Sequence, residues 1–179
     1  MKLYILRHGR TDWNDEGLLQ GWTDNPLNEL GRGQAQAVAL QLEHIDFAAC
    51  YTSPLLRARQ TAELATGGKY KLQYDVLLAE RYLGAKEGKL DDDTEFSALS
   101  WDWEQNSEIY GIEPVQALFR RAEEFLEKLK RQHVDSDKIL IVCHGGLMRA
   151  LHYTLMGFDE NTDFSALKTQ NCGIKIYNI

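Results

Sequence analysis

At 179 residues the chain is sized for one domain with a sizeable core, and its 44% hydrophobic and 26% charged content is that of an ordinary globular protein. A formal net charge of −7 excludes the basic face that nucleic acid or an anionic membrane surface would require, so any anion pocket must be a local cationic island. No apolar run is long enough to span a bilayer, no secretory leader precedes the first strand, and the three cysteines show no Cys-x-x-Cys spacing. The expectation is therefore a cytoplasmic protein with core cysteines and neither disulfides nor a zinc site.

The first predicted element is a strand, Leu3 to Leu6, which ends in Arg7, His8 and Gly9. Its β-branched and aromatic residues suit a strand covered on both faces, and Gly9 is expected to let a bound group approach the backbone. Arg7 offers a guanidinium fork for phosphate oxygens, and His8 a ring nitrogen able to act as nucleophile or base; a strand-end salt bridge is the structural alternative. A polar loop follows from Asp15 to Asn28, beside the strand tip. Asn14 there either donates to a bound phosphate or holds the loop by local hydrogen bonds. Asn28 is expected to cap a helix with Leu30, Ala35, Val38 and Leu42 inward, and Gly31 and Gly33 near its start allow close packing.

Phe47 to Tyr51 reads as the next strand, with Ser53 as cap and Pro54 as first residue of a second helix. Arg57 falls in its first turn, where it faces an anion or makes a surface ion pair, whereas Arg59 points elsewhere as a surface charge. Lys69 to Leu78 alternates like a strand and leads to Glu80, read either as a proton donor or as a solvated carboxylate. Asp91-Asp92-Asp93 lacks the spaced ligands of a calcium loop. Trp101, Trp103 and Tyr110 belong to an excursion over about 80–112, lining a site or packing on the domain. Glu113-Pro114 opens a long amphipathic helix with Val115, Leu118, Ala122, Phe125, Leu126 and Leu129 inward, and Glu124 and Lys128 paired outside. Ile139 to Cys143 is a second apolar strand ending in His144-Gly145-Gly146, followed by a helix that buries Leu147, Ala150, Leu151 and Leu155 and stops at Gly157. Gly173 to Tyr177 is a final short strand. Alternating strands and helices predict a three-layer α/β/α sandwich with a mostly parallel central sheet, over 1–179 as one unit. Two strands with the same strand–His–Gly ending point to one site at the sheet's carboxyl edge.

In this order, Arg7-His8-Gly9-Arg10-Thr11 with Trp13-Asn14, Gln20-Gly21-Trp22 through Pro26-Leu27 and Glu29, Ser53 to Ala62, Glu80 with Gly84, Glu87 and Gly88, and His144-Gly145-Gly146 resemble the histidine phosphatase superfamily, in its phosphoglycerate mutase-like branch. The resemblance implies that His8 is the phosphorylated nucleophile, that Arg7, Arg57 and His144 clamp the phosphoryl group, and that Glu80 is the proton donor. Asn14, Gly21 and Gly145 would complete the substrate pocket. Arg10 stands where many members carry Glu, the excursion is short beside that of the mutases, and their C-terminal tail is not seen.

The expected function is hydrolysis of small phosphomonoesters through a phosphohistidine, without cofactor or metal. Neighbouring arginines would keep the His8 imidazole neutral, with its other nitrogen donating to a backbone carbonyl. The alternatives are a phosphoglycerate mutase and, of another class, an idle phosphate-sensing protein. The partner is a small phosphorylated metabolite, not nucleic acid or membrane. Substrate choice is expected to rest on Arg10, the Trp22 loop and the excursion to Tyr110.

Overall fold

A computed structural model describes residues 1–91, 101–103 and 111–179. Strand β1 (Lys2–Arg7) lies between β4 (Lys138–Cys143), which it pairs with in parallel, and β5 (Ile174–Asn178), antiparallel to it at the sheet edge. Strands β2 (Ala49–Thr52) and β3 (Leu72–Tyr74) continue on the far side of β4, both parallel, giving the order β3-β2-β4-β1-β5. The short helix α1 (Asp12–Asp15) follows β1, and α2 (Glu29–Leu42) and α3 (Leu56–Thr66) flank β2. Helices α4 (Val115–Gln132) and α5 (Gly145–Met156) precede and follow β4.

Alternation along the strands sorts the core into two slabs. Leu3, Ile5, Tyr51, Ile139 and Ile141 face α4 and α5, meeting Leu118, Phe125, Leu129 and Leu151. Tyr4, Leu6, Cys50, Leu140 and Val142 face α2 and α3, meeting Val38, Leu42, Ala58 and Ala62. Both faces of the central strands are therefore apolar, which is why they read as continuous hydrophobic runs. The expected three layers are present.

Several local expectations need correction. Leu30 is 54% exposed, and the inward position near the start of α2 belongs to Gly31. A Cβ on Gly31 would stand 2.0 Å from the Arg10 carbonyl oxygen, and one on Gly9 2.6 Å from that of Gly31. Gly9 is thus required by the packing of α2 on the strand tip, and Gly33 meets nothing. Helix α3 starts at Leu56, after Ser53 and Pro54, and Leu55 at its cap makes no side-chain bond. The free amide of Leu56 donates instead to Asp24 Oδ1 at 2.5 Å. The expected strand over Lys69 to Leu78 shrinks to Leu72–Tyr74 because Asp75 caps a 3₁₀ turn over Val76–Leu78. Lys128 bonds Asp75, the cap of that turn, at 2.7 Å rather than Glu124 on its own helix. Asp92, Asp93 and Tyr110 lie outside the described residues.

Candidate active site

The carboxyl ends of β1, β4 and β2 converge at one edge of the sheet, where each strand runs on into a polar residue. Arg7 pairs with Cys143 in the register, so His8 and His144 leave adjacent strands at the same height, with ring centroids 5.2 Å apart. The next strand over ends at Thr52, and Ser53 Oγ lies 2.7 Å from His144 Nε2. Ser53, expected as a helix cap, stands two residues before the cap, where its Oγ accepts from the Leu55 amide at 3.2 Å and also serves the second histidine.

His8 is buried, and its Nδ1 donates to the Gly9 carbonyl at 2.7 Å. A carbonyl only accepts, so Nδ1 carries the hydrogen and Nε2 keeps the lone pair. Burial first, then Arg57 and Arg7, push the His8 imidazole well below its ordinary range. His144 is shifted the same way, by burial, then Arg57 and His8. Both rings are neutral near pH 7.

Arg57 is fully buried on α3, donating from Nη1 to the Thr23 carbonyl at 2.8 Å and from Nη2 to the Gly21 carbonyl at 2.7 Å. Burial brings its pKa down to about 10. Arg7 donates from Nη1 to the Thr169 carbonyl at 2.6 Å. Each guanidinium is thus aimed by carbonyls on its Nη side. Among the described residues, Arg7 Nε, Arg57 Nε and His144 Nδ1 are buried without a partner. Such groups are costly unless a ligand answers them.

Glu80 reaches the N-terminus of α5. Its Oε1 accepts from the amides of Arg81 at 2.8 Å and Leu147 at 3.2 Å, and its Oε2 from that of Gly146 at 3.1 Å. Of about four lone-pair positions on a carboxylate, three are taken, which leaves one, on Oε2, open. Gly146 is required there, since a Cβ would stand 2.5 Å from Glu80 Oε1. Arg121, not singled out from sequence, holds the carboxylate's backbone in place. It donates to the carbonyls of Leu77, Ala79 and Glu80 and is forked onto Glu113 at 2.6 and 2.7 Å.

Arg7, His8, Arg57, Glu80, Gly21 and Gly145 line one cleft of about 530 Å³, and Asn14 joins them. His144 is not on its wall but directly behind, fully buried. Asn14 Oδ1 is held by the Thr11 amide at 3.2 Å in a capping box and by Asn171 Nδ2 at 3.2 Å, so the local bonding expected of it is present too. Arg10 does not line the cleft; its Nε pairs with Asp15 at 2.5 Å on the surface. Arg59 is likewise absent from the wall. Of the two described tryptophans in the excursion, Trp101 lines the cleft and Trp103 packs against Phe119, Phe158 and Phe164.

Glu87, which the sequence offers only within the block that carries the resemblance and without a role, is a further residue of the site. Its carboxylate gathers the Trp22 amide at 2.9 Å, the Thr23 amide at 2.9 Å, the Thr23 hydroxyl at 2.6 Å and the Leu83 amide at 3.2 Å. It thereby fixes the loop whose carbonyls aim Arg57. Among the described residues no group of three or more His, Cys, Asp or Glu side chains assembles a metal site, and no helix is long and apolar enough to cross a membrane.

A sequence model of the histidine phosphatase superfamily (branch 1) matches residues 3–179. The 2-carboxy-D-arabinitol-1-phosphatase of Triticum aestivum is 32% identical over 98% of this chain and 36% of its own length. The adenosylcobalamin/alpha-ribazole phosphatase of Salmonella typhimurium is 35% identical over 84% of this chain and 77% of its own. The chain spans little more than a third of the first curated relatives it matches. Among solved structures, the mycobacterial glucosyl-3-phosphoglycerate phosphatase complexed with VO3 superposes with a TM-score of 0.86 at 28% identity, covering 98% of this chain and 91% of that one.

Proposed function

We propose that this chain, which belongs to the histidine phosphatase superfamily (branch 1), hydrolyses small phosphomonoesters through a phosphohistidine on His8. The observation that carries this reading is the fixed tautomer of His8, whose Nε2 lone pair lies in a cleft with the Arg7 and Arg57 guanidiniums. The phosphoryl oxygens meet the orphaned Nε hydrogens of Arg7 and Arg57 and, from behind, Nδ1 of His144, which carries a hydrogen when Ser53 donates to Nε2. Those donors are in place before reaction, so charge on the transferring group is met without reorganisation.

In the first step His8 Nε2 forms a bond to phosphorus as the ester P–O bond breaks, and Glu80 gives its proton to the departing alkoxide. In the second, water attacks the same phosphorus, Glu80 takes a proton from it, and the N–P bond breaks to restore the neutral imidazole and free phosphate. Gly145 lines the wall beside Arg7, where a Cβ would make only ordinary contact at 3.4 Å from Arg7 Nε. Asn14 and Gly21 complete the walls. The partner is a small phosphorylated metabolite rather than nucleic acid or membrane, and we assign the whole span 1–179 to one cytoplasmic phosphatase domain.

The test is rapid quenching during turnover of p-nitrophenyl phosphate. Wild type should release inorganic phosphate and carry acid-labile, base-stable phosphate on protein, and His8→Asn should do neither while melting cooperatively. Acid-stable phosphoprotein would overturn the assignment of His8. Interconversion of phosphoglycerates without net phosphate release would replace the phosphatase by a mutase.

A further inference from the structure

The cleft holds more positive charge than one phosphoryl group uses. Beyond Arg7 and Arg57 its wall carries Arg81, Arg149 and Lys168, with Glu80 and Asp91 as its acids; Arg149 and Lys168 stand on the side formed by α5 and the connection after it. Arg149 lies one helical turn past Gly145, so it projects from the same face of α5. Its Nε donates to the Leu167 carbonyl at 3.0 Å, and its guanidinium lies 5.0 Å from the Trp101 ring centroid. Arg7 holds the Thr169 carbonyl two residues on. The backbone on either side of Lys168 is therefore pinned by two cleft arginines.

Neither Arg149 nor Lys168 has a carboxylate within ion-pair distance among the described residues. Asp163, which feels Lys168 electrostatically, is bonded to the amide and hydroxyl of Ser165 at 2.8 and 2.6 Å. Glu80 is committed to three amides. Arg149 also repels Arg7, contributing to its lowered pKa. Like charges brought together around open space, with their carbonyl tethers already satisfied, are an anion site in waiting.

Resting on the phosphatase reading, we propose that Arg149 and Lys168 form a second anion subsite, and that the substrates are phosphomonoesters whose alcohol carries an acid group. With Nε committed to Leu167, the paired Nη atoms of Arg149 offer the edge that a carboxylate fits in two bonds, and Lys168 adds a point charge beside it. A phosphate in the same place would use the same donors. The Trp101 ring, 5.0 Å from the Arg149 guanidinium and 5.3 Å from that of Arg81, adds a cation–π contact that helps hold Arg149 in place.

The test compares kcat/KM for D-3-phosphoglycerate, its methyl ester and glycerol bisphosphate, with p-nitrophenyl phosphate as a reporter of the phosphatase reaction itself. Wild type should prefer the free acid to its ester by about 10- to 100-fold, mainly through KM, as expected for a charged hydrogen-bonded partner. In Lys168→Met and Arg149→Met that ratio should fall towards one. Because the ratio is taken within each variant, general damage to folding or chemistry cancels. Lys168 is exposed and its side chain makes no hydrogen bond among the described residues, so its variant remains informative if Arg149→Met fails to fold. A preference for the bisphosphate over the free acid that both variants lose would identify the second group as phosphate. Equal use of acid and ester by wild type, or a preference that both variants keep, would overturn the subsite while leaving the phosphatase standing. Turnover of none of the four compounds would remove the phosphatase reading itself.

Discussion

His8 and His144 bring two neutral imidazoles into the protein interior, and this has a cost that appears on acidification. Both are held well below their ordinary range, first by burial and then by the buried guanidinium of Arg57. An unfolded chain protonates each near pH 6.5, whereas the folded chain does not. Their contribution is therefore fully present above about pH 6.5 and is lost as pH falls towards the much lower folded values. Each unmatched proton changes stability by about 1.4 kcal/mol per pH unit, so the slope for the pair is about 1.4 kcal/mol per unit at pH 6.5 and approaches about 2.7 from roughly one unit below. Urea denaturation at pH 7.5, 6.5 and 5.5 should show the fall beginning at 6.5. His8→Asn, which keeps a donor for the Gly9 carbonyl, should reduce the slope by about one proton. A slope unchanged in His8→Asn would mean that the native His8 accepts a proton in this range, and a charged imidazole is no nucleophile.

Among the elements, the Gly21–Thr23 segment is held from two sides, by Glu87 through its amides and by Arg57 through its carbonyls. Glu87 is thus a positioning residue for the phosphoryl clamp. Glu87→Gln sets an NH2 group against amide donors and leaves at least one of them unanswered, which costs about 1–3 kcal/mol. The expected result is a folded variant whose kcat on p-nitrophenyl phosphate is lower by about 10²-fold and whose vanadate affinity falls with it, as follows when a transition-state donor loses its aim. A variant within three-fold of wild type in both would show that Arg57 is aimed without Glu87. This layer of the site was the least legible in the sequence. The strand tips bearing His8 and His144 announced themselves because a buried strand must end in something polar only for a reason, and Arg57 followed from its place after a third strand. The contacts that aim those groups did not, because they join Glu87 to Trp22 and Thr23 or Arg121 to Glu80 across large sequence separations, with no periodicity to betray them. Ser53 misled for a related reason. Its local pattern fits a helix cap, and only the neighbouring strand reveals that its hydroxyl meets His144. Leu30 lies outward because Gly31 takes the position that packs against the strand tip, and Arg10 is turned from the cleft by its ion pair with Asp15.

At the scale of the whole molecule, an acidic chain of net charge −7 concentrates cations in one cleft at the end of its sheet. Arg7 and Arg57 each depress the ionisation of the buried histidines, and Arg7 also depresses that of Arg57, so the unliganded fold carries repulsion that a bound anion relieves. Stability should consequently depend on anions in a way that a merely sticky surface would not reproduce. Orthovanadate, which adopts the five-coordinate geometry of a transferring phosphoryl group on His8, binds the folded state alone. At 100-fold above its Kd it should add about 2.7 kcal/mol, raising Tm by about 5–10 °C for a chain of this length. Sulfate, matched in charge but unable to bond to the imidazole in that geometry, should give a smaller rise. Neither rise should respond to EDTA, because the positive charge facing the anion comes from guanidiniums fixed by carbonyls of the chain itself. Differential scanning fluorimetry of wild type and Arg57→Met, with and without vanadate and chelator, reads all of these at once. The variant should lose most of the vanadate-dependent rise even if its own Tm increases on removal of a buried charge. A vanadate response that vanished with EDTA and returned with magnesium would mean that a divalent ion, rather than the arginine pair, completes the phosphoryl pocket.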